Sequence, residues 1–291
     1  MIGLVAASAV LHVGWNVRLK TAGDPLIAAA IGLVAGGLVV VPFGIAMWWT
    51  AGARALPAEG IALGLVSGVV EAVYFVLLAA AYRRGDLSVV YPIARGTAPL
   101  LLVAVGVGVL GERLGGTGWA GVALLLAGFV ALQRPWLAVR AAMAGRRGDG
   151  AIPFALATGV AIAGYTSIDR VGTRLIDPVP YAAILWLSGS VLLVAWIALT
   201  EGRASLRPGR ADVRQAALGG LMTLGAYLLV LFALSVAPLT AVAPLRESAT
   251  VLAAAWGAIR LREAVSRGEA VRRVAGSAVI VAGAVLLAVD A

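Results

Sequence analysis

Four ionisable side chains stand inside long apolar runs of this chain of 291 residues: Glu71, Arg95, Arg246 and Glu247. A charge at the centre of a lipid-spanning helix costs about 3 kcal/mol on insertion scales, so each is a functional candidate. Glu71 has Tyr74 and Phe75 on its own helical face at i+3 and i+4. Such a carboxyl group serves either a solute or a neighbouring helix that it ties down. Arg95 has Tyr91 and Pro99 one turn away on either side. His12, Trp15 and Asn16 share a face near the start of the chain, and an amide, an imidazole and an amphipathic ring together can hold a small polar solute. Trp15 at a helix end is also a membrane-interface anchor by type. Tyr165 with Asp169, and Thr223 with Tyr227, repeat the pairing of a ring with a polar group one turn apart. Asp169 also reads as an ordinary loop charge at a helix end.

Two acids, two arginines, hydroxyls and aromatic rings suit a zwitterion or a small amphiphile better than a bare anion or a lipophilic cation. The candidate substrate-binding set is therefore His12, Trp15, Asn16, Glu71, Tyr74, Tyr91, Arg95, Tyr165, Thr223, Tyr227, Arg246 and Glu247. A buried carboxyl group with a raised pKa can alternate between a proton and a substrate, which makes Glu71 and Glu247 the proton-coupling candidates. No cysteine and a single histidine remove most transition-metal and thiol chemistry, and no cofactor is expected. Ser188-Gly189-Ser190 with His12 is the only nucleophile and base available to an intramembrane enzyme. A non-transporting accessory membrane subunit is the other rival reading.

These residues need helices to position them. Hydrophobic residues make up 62% of the chain and charged ones 13%, far from the balance of a soluble domain. Apolar stretches fall at 2–19, 26–49, 58–82, 87–110, 116–133, 151–169, 180–200, 213–236, 239–259 and 271–289. In lipid such stretches must be helices, because an open strand leaves backbone groups unpaired. The first stretch has no basic segment before it and carries His12, Trp15 and Asn16 where a cleavage site would stand, so it reads as a span. The net charge of +9 resides mostly in arginines between spans, which is a topological bias rather than a nucleic-acid surface. Segments after odd-numbered spans hold seventeen basic residues and those after even-numbered spans four, which puts both termini outside the cytoplasm.

The chain also repeats itself. Asp24-Pro25 recurs as Asp177-Pro178, an offset of 153, and Leu87 through Pro92 answers Leu239 through Pro244 at 152. Gly121 and Gly128 answer Gly276 and Gly283 at 155, and Gly14-Trp15 answers Gly164-Tyr165 at 150. Arg95 then corresponds to Glu247, and the two would meet near a pseudo-twofold axis as substrate ligands or as a buried ion pair. Arg246 has Glu71 or Glu247 as alternative partners. Five spans per unit is an odd number, so the second copy lies inverted, with a solute site near the midplane. The expected organisation is 1–133 as one five-helix repeat, 134–150 as a connecting loop and 151–291 as the inverted repeat. Gly60, Gly64 and Gly68, and Gly32 with Gly36, mark faces for close helix contact.

Gly14-Trp15-Asn16 with Lys20, Ala233-Leu234 followed by Pro238-Leu239-Thr240-Ala241, Gly111-Glu112-Arg113-Leu114, and Arg262-Glu263 resemble the drug/metabolite transporter superfamily, EamA family. The resemblance covers essentially the whole chain. It departs at Leu261-Arg262-Glu263, where the family often has Gly-Glu-Arg, and at Trp15-Asn16, where it often has Trp-Gly. It implies an all-α membrane protein of ten transmembrane helices, two inverted five-helix repeats around a central cavity, with the fifth and tenth spans peripheral. It further implies a multi-pass transporter of the inner (plasma) membrane that exports amino acids or related metabolites, or other amphiphilic metabolites or drugs, by alternating access. The partners are then the small-molecule solute, the lipid bilayer and, if transport is coupled, protons; a monomer suffices. The resemblance also implies cytoplasmic termini, against the loop count.

Overall fold

A computed structural model describes residues 2–84, 87–133, 136, 140, 150–206, 210–246 and 267–290. The helices are α1 (Ile2–Thr21), α2 (Pro25–Thr50), α3 (Ala58–Arg84), α4 (Leu87–Gly108) and α5 (Gly116–Gln133), then α6 (Ile152–Leu175), α7 (Pro178–Thr200), α8 (Arg210–Val236) and α9 (Arg267–Asp290). A 3-10 turn spans Arg203–Leu206, and 239–246 is helical to the edge of the described chain. No strand occurs among the described residues. α2, α3, α6, α7 and α8 are long and apolar enough to cross a bilayer, and α1, α4, α5 and α9 carry shorter apolar segments.

The distribution of side chains is that of an all-α membrane protein. Leu38, Phe43 and Leu199 are 74%, 64% and 86% exposed, whereas Ser67, Thr166 and Asp169 are fully buried. Lipid accepts the apolar face, so the polar groups turn inward to find one another. Helices run past the apolar stretches at several ends. α6 continues to Leu175, which places Arg170 and Arg174 on the helix instead of in a loop. Arg170 reaches back to donate to the Leu234 carbonyl at 2.8 Å. A long basic side chain can leave a helix end this way without removing the backbone from its own hydrogen bonds.

The two Asp-Pro pairs both begin helices, but only one side chain caps. Asp24 accepts from the amides of Leu26 at 2.8 Å and Ile27 at 3.2 Å, satisfying donors that a first turn leaves orphaned. Asp177 makes no such bond. Proline at the first helical position suits both starts, since its missing N–H would have had no partner there.

The chain divides into two compact units, one made of Met1–Ala9, Ala80–Val160 and Ala237–Ala291, the other of Val10–Ala79 and Ala161–Val236. In the first unit α5 and α9 pack through glycine. A methyl group on Gly121 would stand 2.8 Å from the carbonyl oxygen of Gly283, and one on Gly128 3.0 Å from that of Gly276. Glu112 accepts from the amides of Leu239 at 2.6 Å and Thr240 at 2.9 Å and from the Thr240 hydroxyl, so the acid of Gly111-Glu112-Arg113 anchors the start of the 239–246 helix. Asp290 binds the Thr117 hydroxyl and the Gly115 amide, the latter at 2.9 Å. Those two donors, the hydroxyl first, hold its carboxyl below the usual aspartate range. A lowered pKa means the tether is present above the ordinary value of about 4 and is lost as pH falls through the lower folded value. Amide exchange at Gly115, corrected for intrinsic rate, should stay slow down to about pH 4 and accelerate below it. In Asp290→Asn that pH dependence should vanish.

In the second unit α2 crosses α7 and α8. Gly32 lies against Gly220 and Gly36 against the Trp186 indole, while Gly60, Gly64 and Gly68 on α3 meet Ile176, Ile184 and the Leu185 carbonyl. The small-residue faces are therefore helix contacts, as their spacing predicted.

Candidate functional site

A cavity opens in the second unit where α1 finishes and α2 and α8 begin. Its walls include Trp15, Arg18 and Leu19 from α1, Ala28 and Gly32 from α2, Phe75 from α3, Trp186 from α7, and Gln215, Gly219 and Thr223 from α8. Spacing along the helices gives it depth. Leu19 and Gln215 lie near helix ends, whereas Phe75 and Trp186 lie well inside theirs. The cavity is small, with room for a few waters.

The lining chemistry is one-sided. The indole N–H groups of Trp15 and Trp186 are buried and have no hydrogen-bond partner among the described residues. Burying a donor without an acceptor costs about 1–3 kcal/mol, so each is a place where a ligand oxygen would be rewarded. Arg18 adds a guanidinium, whose Nη1 donates to the Gly14 carbonyl at 3.3 Å. The Thr223 hydroxyl donates to the Gly219 carbonyl at 2.9 Å. None of the cavity-lining residues is acidic.

Beyond the cavity lies a run of aromatic rings. Phe75 meets Tyr74 at 4.8 Å between centroids, Tyr74 meets Tyr165 at 5.8 Å, Tyr165 meets Tyr227 at 5.7 Å, and Tyr227 meets Trp186 at 5.8 Å. The first three contacts are edge-on, the geometry that sets a positive ring edge against a negative face. His12 meets Trp15 in the same way at 5.0 Å. Glu71 is buried one turn before Phe75, with its Oε2 beside Gly189 of α7.

Tyr227 ends that run on an acid. Its hydroxyl donates to Oδ2 of Asp169, while Oδ1 accepts from Ser67 at 2.5 Å and from the Tyr181 hydroxyl at 2.8 Å. α3, α6, α7 and α8 each supply one member of this cluster, and Asp169 is fully buried at its centre. The loop-charge reading of Asp169 is thereby corrected. The apolar stretch stops at 169, but the helix runs six residues further and takes the acid inside.

Of the residues singled out by sequence, Trp15 and Thr223 line the cavity, and His12, Glu71, Tyr74, Tyr165 and Tyr227 lie buried in the same unit. Arg95 and Arg246 are buried in the other unit. Glu247 lies outside the described residues, as does its pairing with Arg95, and the side chains of Asn16 and Tyr91 are likewise outside the description. Ser188 and Ser190 both donate to helix carbonyls, of Leu185 and Trp186. Sequence reasoning missed Ser67, Tyr181, Trp186 and Gln215. Tyr181, three residues after a helix-starting proline, and Ser67, between two glycines of a packing face, carry no pattern that marks them.

Residues 150–289 match the EamA-like transporter family. No protein of curated function matches the chain. A solved structure, named simply "Crystal structure of protein", shares 19% sequence identity with this chain at a TM-score of 0.72, over 99% of this chain and 99% of that one. At that identity the likeness is one of fold.

Proposed function

We propose that this chain, whose residues 150–289 match the EamA-like transporter family, is a secondary transporter exporting small polar metabolites, amino acids foremost, by alternating access. The observation that carries this reading is the cavity among α1, α2, α3, α7 and α8, lined by buried donors and aromatic walls. The indoles of Trp15 and Trp186 and the guanidinium of Arg18 receive the carboxylate end of the solute. Phe75 packs against its body, and Glu71, one turn away, serves its ammonium group or exchanges it for a proton. Glu247 is the second coupling acid. In this conformation the cavity holds only a few waters, so an amino acid enters with movement of the surrounding helices.

Ten helices in two inverted repeats, 1–133 and 151–291 joined by 134–150, form the scaffold of this reading in the inner (plasma) membrane. Two exchanged contacts support it. Gly121 touches Gly283 and Gly128 touches Gly276, and at the offset of 155 each contact is the image of the other. Gly220 touches Gly32 and Gly68 touches Leu185, again images of each other at 152 and 153. Such reciprocity is what a twofold relation requires. Two repeats in one chain complete the solute path, so a monomer suffices.

The test is counterflow of an amino-acid panel in proteoliposomes. The native chain should exchange at least one member well above empty vesicles. Glu71→Gln should cut flux driven by a pH gradient more than about tenfold, as loss of a transferable proton does, while exchange persists. No counterflow for any solute would end the transporter reading. Unchanged gradient-driven flux in Glu71→Gln would remove that residue from coupling.

A further inference from the structure

We infer that Asp169, Ser67, Tyr181 and Tyr227 form the second mouth of the solute path, held shut, and that this mouth is the repeat counterpart of the open cavity. The inference rests on the transporter reading and adds to it the residues that close the path.

Register carries the argument. Between α1 and α6 the offset is 150, as at Gly14 and Gly164, so Leu19 corresponds to Asp169. Between α2 and α7 it is 153, as at Asp24 and Asp177, so Ala28 corresponds to Tyr181. Between α3 and α8 it is 152, as at the contact-forming Gly68 and Gly220. Ser67 then corresponds to Gly219, and Phe75 to Tyr227. Leu19, Ala28, Gly219 and Phe75 all line the cavity. Their four counterparts are the whole Asp169 cluster. One set of positions therefore occurs twice in the same unit.

The two copies differ in chemistry. At the cavity an isobutyl group, a methyl group, a bare glycine and a phenyl ring make no hydrogen bonds with one another and leave a gap. At the cluster a carboxyl group and three hydroxyls close on each other through three hydrogen bonds. Their positions along the helices are opposite as well. The cavity mouth lies where α1 ends and α8 begins, whereas the cluster lies where α6 ends and α7 begins, and meets α8 at Tyr227, two turns beyond Gly219. A carrier needs one end open and the other sealed at any moment, with a seal that can break. Hydrogen bonds exchangeable for water bonds meet that need better than interlocked apolar packing, because their net cost of opening is small.

The chain has no cysteine, so single thiol reporters are clean. Leu19→Cys reports the cavity mouth. Thr166→Cys replaces a fully buried residue one turn deeper on α6 than Asp169. A membrane-impermeant maleimide is applied from each face of proteoliposomes. Leu19→Cys should react at least tenfold faster than Thr166→Cys. Adding Tyr227→Phe, which removes one bond of the seal, should raise Thr166→Cys labelling at least tenfold and slow that of Leu19→Cys. Ser67→Ala provides the same comparison if Tyr227→Phe does not fold. Equal labelling of the two reporters in the otherwise native chain would overturn the inference. So would Thr166→Cys labelling unmoved by both seal variants in protein of native melting temperature. Solute counterflow in the same vesicles separates the two ideas. Flux without the labelling switch defeats the seal alone, and the switch without flux defeats the transporter reading while the seal stands.

Discussion

Asp169→Ala should lower the stability of the folded chain by about 3 kcal/mol or more, the low end of the cost of leaving three buried hydroxyls without their acceptor. The substitution strands the hydroxyls of Ser67, Tyr181 and Tyr227 around a methyl group, on three different helices. Each buried donor without an acceptor costs about 1–3 kcal/mol while the cluster stays closed. Asp169→Asn keeps an acceptor for Ser67 and Tyr181 and should lose much less. Tyr181→Phe alone should cost about 1–2 kcal/mol. The separate losses of the three hydroxyl partners will not add to that of Asp169→Ala, because the four groups act as one unit. Thermal unfolding in detergent, followed by tryptophan fluorescence and by gel filtration of the soluble fraction, reads all of these. An Asp169→Ala protein as stable as the native chain would show that the cluster holds nothing together.

Gly220→Ala should be nearly as damaging, by a different route. A methyl group there would overlap the carbonyl oxygen, the Cα and the carbonyl carbon of Gly32. All three are backbone atoms, so no rotamer change relieves the clash, and α2 and α8 must part. Overpacking typically costs about 1–3 kcal/mol where side chains can shift, and a backbone clash belongs above that range. The reciprocal change is the control. A methyl group on Gly32 meets Gly220 at 3.0 Å and the Ala216 carbonyl at 3.3 Å, a strain of tenths of an ångström. Gly32→Ala should therefore fold, with a loss near the low end of that range. Gly219 and Gly220 line the cavity, so whatever Gly220→Ala protein survives should also lose solute flux. Equal stability of the two alanine variants would contradict the asymmetric crossing.

How legible was all this in the chain of letters? The apolar helices of the described residues were, because a bilayer imposes the same demand on every residue that enters it. The buried acid at Glu71 and the arginines at 95 and 246 stood out for the same reason. The glycine faces were legible as well, since close contacts depend on local spacing. Helix ends were less so. Hydropathy falls off at 169, but hydrogen bonding along the backbone carries α6 to Leu175 and hides Asp169 within it.

By itself the sequence determined a membrane protein of apolar helices and a short inventory of polar groups expensive to place in lipid. Each depends on one residue's transfer cost or on spacing along one helix. Tertiary structure alone decided which polar groups meet. Ser67 and Asp169 are 102 positions apart, and Tyr227 is 58 beyond Asp169. Their convergence depends on the rotation of four helices about their own axes, which small-residue crossings such as Gly32 on Gly220 set. The same packing leaves Trp15 and Trp186 without hydrogen-bond partners among the described residues and brings one acid and three hydroxyls together around Asp169. Transfer costs are additive along a chain and can be read from it. Contact is a property of pairs, and becomes visible only when the helices are packed.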